Sequence, residues 1–184
     1  REAVGIFEAG TGVGKSLAYL LPALTWAKAN RKRIVISTGT INLQYQLVEK
    51  DVPTARKIIP LQNPEDTPVL LIKGRQNYLC LRRFSQTLQE ADLFTEYQQE
   101  LADMQTWIPT TQEGTRSELP FMPAQSLWNK ICSESDNCLG QRCVFFDSCF
   151  VMKLKKKAEK ASLLIVNHHL LCADLASRRE RIGY

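Results

Sequence analysis

No stretch of about 18 consecutive apolar residues occurs in the 184-residue chain, so no membrane-spanning helix is expected. There is no internal repeat, and no low-complexity tract apart from one lysine-rich segment. Histidine is scarce: the only two, His168 and His169, are adjacent. Neither has a ligand-like neighbour in sequence, so neither is a metal-ligand candidate. The first residues do not read as a secretory signal, because a charged start leads straight into a glycine-rich turn. Without a secretion signal, the six cysteines point to a reducing, cytoplasmic compartment. There they serve as metal ligands or buried thiols more often than as disulfides. What is present allows one or two domains with a real core, since 44% of residues are apolar. A net charge of +5 leans toward a polyanionic partner without deciding one.

The chain is organised around residues 4–16, VGIFEAGTGVGKS. An apolar run, Val4 to Phe7, predicts a strand; a Gly-rich turn and then Lys15-Ser16 open a helix. The pattern is that of a phosphate loop, with Ala9 at the first small position and Gly10, Thr11, Gly12, Val13 and Gly14 completing it. Small residues let successive backbone N–H groups point at an oxyanion, and the helix start adds its positive dipole end. Lys15 is the candidate for the β- and γ-phosphates of ATP, and Ser16 for Mg²⁺. An ordinary Gly-rich turn would not need strand, loop, Lys-Ser and helix in register.

Downstream, residues 15–29 predict a helix with a kink at Pro22. Residues 33–37 and 68–72 predict buried parallel strands, and Thr40 is a plausible N-cap for the helix between them. This is β-α-β-α-β, the start of a doubly wound sheet. From Lys73 to about Lys160 no strand run follows. Helices are predicted over 80–91, 94–108 and 149–160, with a loop-like stretch over 109–125, so an inserted helical domain is expected. The sheet resumes at 162–166. No Asp-Glu pair follows an apolar strand, although a phosphate-loop ATPase needs such a carboxylate. The chain is therefore expected to be an excised piece of a longer protein, dividing at 1–73, 74–160 and 161–184.

Cys138, Cys143 and Cys149 are spaced C-x4-C-x5-C. Zinc modules favour C-x2-4-C pairs, whereas wider spacings suit loops around a larger object such as a cubane cluster. Spacing alone leaves both open. It also leaves the fourth ligand open between nearby Cys132 and distant Cys80, while Cys172 reads as a buried thiol.

Taken together, EAGTGVGKS, STGTINLQYQL, KGRQNYLC, NCLGQRCVFFDSCF and LLIVNHHLLCADL resemble the bacterial DinG family of XPD-like, superfamily 2 iron–sulfur DNA helicases. They run in the family's order over nearly the whole chain, and GRQNYLC and VNHHLL look closer to its YoaA-like branch. The resemblance implies a partial RecA-like α/β motor domain interrupted by a mainly helical iron–sulfur insert. It implies a [4Fe-4S] cluster on Cys80, Cys138, Cys143 and Cys149, with Cys132 spare. It further implies ATP-driven 5′→3′ unwinding of DNA in repair or replication, in the bacterial cytoplasm at the nucleoid. The expected partners are single-stranded, forked or duplex DNA and replication or repair proteins, with no membrane. Motif II and the second motor domain are absent, so this segment alone is expected to be inactive.

In such a motor, DNA crosses the carboxyl-end face of the sheet. Thr38, Gly39, Thr40 and Gln44, with Asn167 and His168, are the candidate contacts. Gln44 and Gln46 could equally form a solvated helix face, and His168 a helix cap. In KLKKKAEK, Lys153, Lys156, Lys157 and Lys160 share one helical face beside the last cysteine. The run is either a solvated face or a phosphate-tracking surface joined by Arg75, Arg82, Arg83 and Arg142. Tyr78 and Phe145 or Phe146 could stack on bases, but packing around a cluster is favoured. Two other classes share some of these features: a phosphate-loop ATPase with a structural zinc module, and a non-enzymatic cluster-bearing sensor.

Overall fold

The computed structural model describes residues 3–59, 63–90 and 96–182. The chain separates into two compact units, Arg1–Ile72 with Lys160–Tyr184, and Lys73–Glu159.

The first unit holds a parallel sheet of β1 (Ile34–Thr38), β2 (Val69–Leu71) and β3 (Leu163–Asn167), in the order β1-β3-β2. Ile34 and Val69 both stand opposite Leu163, and Thr38 stands opposite Asn167. The strand latest in sequence lies in the middle, flanked on both sides, and buries Leu163, Ile165 and Val166. α1 (Lys15–Asn30) continues through Pro22 and buries Leu20, Leu24 and Ala27, which share one helical face. These pack with Leu47, Val52, Ala55, Leu163 and Ile165. α2 (Ile41–Gln46) is capped by the Thr40 hydroxyl, which accepts from the Leu43 N–H at 3.2 Å. It passes through a π-helical turn, Leu47–Asp51, into α3 (Val52–Ile58). The wide turn lies just before Pro53, whose ring nitrogen offers no N–H to a regular ladder. α8 (His168–Ile182) follows β3 directly. No helix among the described residues is long and apolar enough to cross a membrane.

Two expectations fail here. Val4–Phe7 forms no strand, and Val4, Ile6 and Phe7 are each 94% exposed. A strand exists only where a neighbour takes its N–H and C=O groups. In the sheet β3 lies between β1 and β2, and residues 4–7 pair with neither of those edge strands. Cys172 is exposed rather than buried.

The second unit contains α4 (Leu81–Glu90), α5 (Gln98–Trp107), α6 (Gln125–Ile131) and α7 (Phe150–Lys160). The predicted helix ends at 91 and 94–95 lie outside the described residues. α6 was not anticipated; it is short and begins just after Pro123, a residue that suits a helix start. This unit has a substantial core. Tyr78, Phe84, Leu101, Met104, Trp107, Leu127, Trp128, Ile131 and Phe150 are buried together.

Candidate phosphate loop and cysteine cavity

In the phosphate loop, Gly12 and Gly14 adopt φ of 79° and 80°, a region L side chains rarely enter. A Cβ at either would meet nothing within 4 Å, so backbone conformation, not crowding, demands glycine. Gly14 caps α1, and its carbonyl accepts from the Ala18 N–H at 3.1 Å. Lys15 Nζ reaches back to donate to the Ala9 carbonyl at 3.0 Å, closing the loop with a cation. Ala9 to Lys15 are all exposed, and Ser16 is half-buried at the first turn. One turn on, burial pushes the Tyr19 hydroxyl pKa up; the Ser16 side chain pulls it down and the Asp51 carboxylate raises it.

The carboxyl ends of β1 and β3 bring Thr38, Gly39 and Thr40 beside Asn167 and His168. Much of their polar capacity is already used. The Thr38 hydroxyl donates to the Thr40 carbonyl at 3.1 Å, and Asn167 Oδ1 accepts from the Leu170 N–H at 2.7 Å. Exposed His168 shares a 2.7 Å hydrogen bond through Nδ1 with the Ser37 hydroxyl. Sequence reasoning missed Ser37; its position before Thr38-Gly39, pairing across to β3, was the available signal. Gln44 is 1% exposed and its side-chain nitrogen has no partner among the described residues. It is neither a solvated face nor within reach of a surface strand in this structure.

In the second unit, residues 78–80 run antiparallel to 131–133. The Cys80 N–H donates to the Ile131 carbonyl and the Ser133 N–H to the Tyr78 carbonyl, both at 2.8 Å. This pairing carries Cys80 to the loop holding Cys138. Cys80, Cys138, Cys143 and Cys149 line one narrow cavity, with Leu139, Phe146 and Met152 among its walls. Cys132 does not line it; it is buried, and burial pushes its thiol pKa up. The Cys138 thiol is pulled down by the Gly140 backbone N–H, against some burial, and then by Arg75 and Lys155. Cys80 and Cys149 stand at the starts of α4 and α7, where the Phe84 and Lys153 N–H groups donate to their carbonyls at 2.9 Å. Among the described residues no three His, Cys, Asp or Glu close in as they would on a single ion.

Two arginines suggested for phosphate tracking are internal braces. Arg82 donates to the Asn137 carbonyl at 2.6 Å. Arg83 pairs with Glu134 at 2.7 Å and donates to the Cys132 and Asn129 carbonyls. Together they tie α4 to the loop before Cys138. Tyr78 is 2% exposed, which makes it a packing residue rather than a stacking platform. Lys153, Lys156, Lys157 and Arg142 remain exposed.

No family model matches the chain. It is 39% identical over 180 residues to the ATP-dependent DNA helicase YoaA of Escherichia coli (strain K12), covering 97% of this chain and 27% of that protein. It is 35% identical over 184 residues to the ATP-dependent helicase DinG of Mycobacterium tuberculosis (strain H37Rv), covering 92% and 28%. It is 31% identical over 178 residues to the 3′-5′ exonuclease DinG of Bacillus subtilis (strain 168), covering 96% and 19%. The chain thus spans about a quarter of the length of the first two relatives. A parallel α/β sheet compatible with a partial RecA-like fold, entered through a phosphate-loop sequence, places the chain in the class of phosphate-loop α/β proteins. Within that class it belongs to the DinG family of helicases, on the YoaA-like branch.

Proposed function

We propose that this chain is the leading part of the first motor domain of an ATP-dependent 5′→3′ DNA helicase that carries a [4Fe-4S] cluster and acts in DNA repair or replication. The observation that carries the reading is the convergence of Cys80, Cys138, Cys143 and Cys149 on one cavity, in a chain with relatives named ATP-dependent DNA helicases. The donor set is all thiol and the walls include apolar side chains, a lining that suits a cluster, while Cys132 stands outside it. Bound there, the cluster would cross-link the start of α4, the loop after α6 and the start of α7. Those two helix starts turn positive dipole ends toward anionic sulfur.

At the phosphate loop, Lys15, which donates to the Ala9 carbonyl, would hold the β- and γ-phosphates, the loop amides would take phosphate oxygens, and Ser16 would hold Mg²⁺. DNA phosphates lie over the carboxyl-end face, against the Gly39 N–H, the Thr40 and Asn167 helix starts and His168. Exposed Lys153, Lys156 and Lys157 supply a second contact line. The setting is the bacterial cytoplasm at the nucleoid, with replication or repair proteins as partners.

The test is strand separation of forked duplexes by the longer protein containing this segment, with ATP and either a 5′ or a 3′ single-stranded arm. The expected result is opening from the 5′ arm only, lost with Cys143→Ser while ATP binding persists. Opening from the 3′ arm, or full opening by Cys143→Ser, contradicts the reading.

A further inference from the structure

At the far end of α1 from the phosphate loop, a cavity of about 270 Å³ is lined by Lys28, Arg31, Lys32, Arg33 and Lys160, with Asp66 the lone carboxylate. α1 has 16 residues, so the two ends stand about 24 Å apart at 1.5 Å per residue. The cavity also lies at the amino ends of β1 and β3, opposite Thr38 and Asn167.

The charge is in excess of local need. Lys28 pairs with Asp66 at 3.1 Å, and Arg33 Nε donates to the Ala161 carbonyl at 3.2 Å. Arg31, Lys32 and Lys160 are exposed and have no acidic partner among the described residues. With Lys28 set against Asp66, the cations of Arg31, Lys32 and Lys160 still outweigh the roughly half negative charge contributed by the C-terminus of α1. Arg31 is the one described non-glycine residue at positive φ, 51°, where glycine is the default cap. An arginine kept in that conformation holds its cation at the rim.

We propose that this cavity binds the phosphate backbone of a nucleic-acid strand, a contact separate from both the phosphate loop and the carboxyl-end face. Its nucleic-acid identity rests on the DNA-motor reading above.

The test is salt-dependent binding of fluorescein-labelled oligothymidine, and in parallel of inorganic polyphosphate, to this chain. Arg31→Gly combined with Lys32→Gln is compared with Lys153→Gln combined with Lys156→Gln. Arg31→Gly relieves the left-handed strain, so the first variant should not lower the unfolding midpoint. The expected result is weaker oligothymidine binding, a salt slope shallower by about 1.4 (roughly 0.7 per contact), and protection of Lys28 and Lys32 from acetylation by the bound strand. An unchanged slope in a chain that still binds oligothymidine overturns the site and leaves the DNA reading standing. Arg31- and Lys32-dependent binding of polyphosphate alone overturns the nucleic-acid identity. No oligothymidine binding by the unaltered chain overturns both.

Discussion

Gly114 and Gly140 form a natural controlled experiment in the second unit. Both sit at positive φ, 65° and 56°, so alanine at either incurs left-handed strain of about 1 kcal/mol. Their surroundings differ. A Cβ on Gly114 would lie 2.3 Å from two ring atoms of Phe150, whereas a Cβ on Gly140 would meet nothing within 4 Å. Phe150 is 6% exposed and packed in the core, so its ring cannot swing into solvent. Overpacking of that kind adds about 1–3 kcal/mol. Gly114→Ala should therefore destabilise the unit by about 2–4 kcal/mol in total, against about 1 kcal/mol for Gly140→Ala. Urea unfolding followed by tryptophan fluorescence reads this unit well, because Trp107 and Trp128 are buried in its core while Trp26 of the other unit is 46% exposed. Phe150 also follows Cys149 directly, so Gly114→Ala should lower metal retention along with the midpoint. Equal losses from the two substitutions would refute the packing argument, leaving only the backbone term.

Three further outcomes follow from the site geometry. Lys15→Ala should weaken binding of a fluorescent ATP analogue by about 10–100-fold, the value of charge-assisted hydrogen bonds to phosphate; unchanged affinity would undo the phosphate-loop assignment. Glu134 is held below its ordinary pKa of 4.5 by the Asn137 hydrogen bond and then by Arg83. Its contribution is therefore complete above about pH 4.5 and fades as pH falls through the depressed value. Glu134→Gln should accordingly be less stable than the unaltered protein near neutrality, with the gap closing in acid; a gap that persists at low pH would contradict that linkage. Replacing Lys153, Lys156 and Lys157 with Gln should flatten the salt dependence of single-strand binding by about 2 in log–log slope, roughly 0.7 per contact; an unchanged slope would make the lysine face merely solvated.

What the sequence made legible, and what it did not, follows from how local each feature is. The phosphate loop and the Thr40 cap are set by residues a few positions apart, and each reads directly from its own chemistry. The strand expected at Val4–Phe7 was not legible as absent, because strand formation depends on a neighbour rather than on the run itself. Gln44 read as a surface residue from its polar side chain, yet its helical neighbours Ile41, Leu47 and Val48 are apolar and packing makes it interior. Arg82 and Arg83 read as free cations in a basic region, yet their partners, Asn137, Glu134 and Cys132, lie about fifty positions away, brought close by the short pairing of 78–80 with 131–133. The same pairing is what gathers Cys80 with Cys138, a long-range fact that spacing left open. α6 was not anticipated; it begins at Gln125, where the loop-like stretch 109–125 ends, and is only seven residues long.

The central claim is that four particular cysteines hold one iron–sulfur cluster, and metal analysis tests it most directly. Iron, acid-labile sulfide and zinc would be measured on anaerobically purified protein, unaltered and as Cys80→Ser and Cys132→Ser. The account predicts iron and sulfide near about four each per chain, lost with Cys80→Ser and retained with Cys132→Ser. Zinc without sulfide, or loss with Cys132→Ser instead, would contradict it.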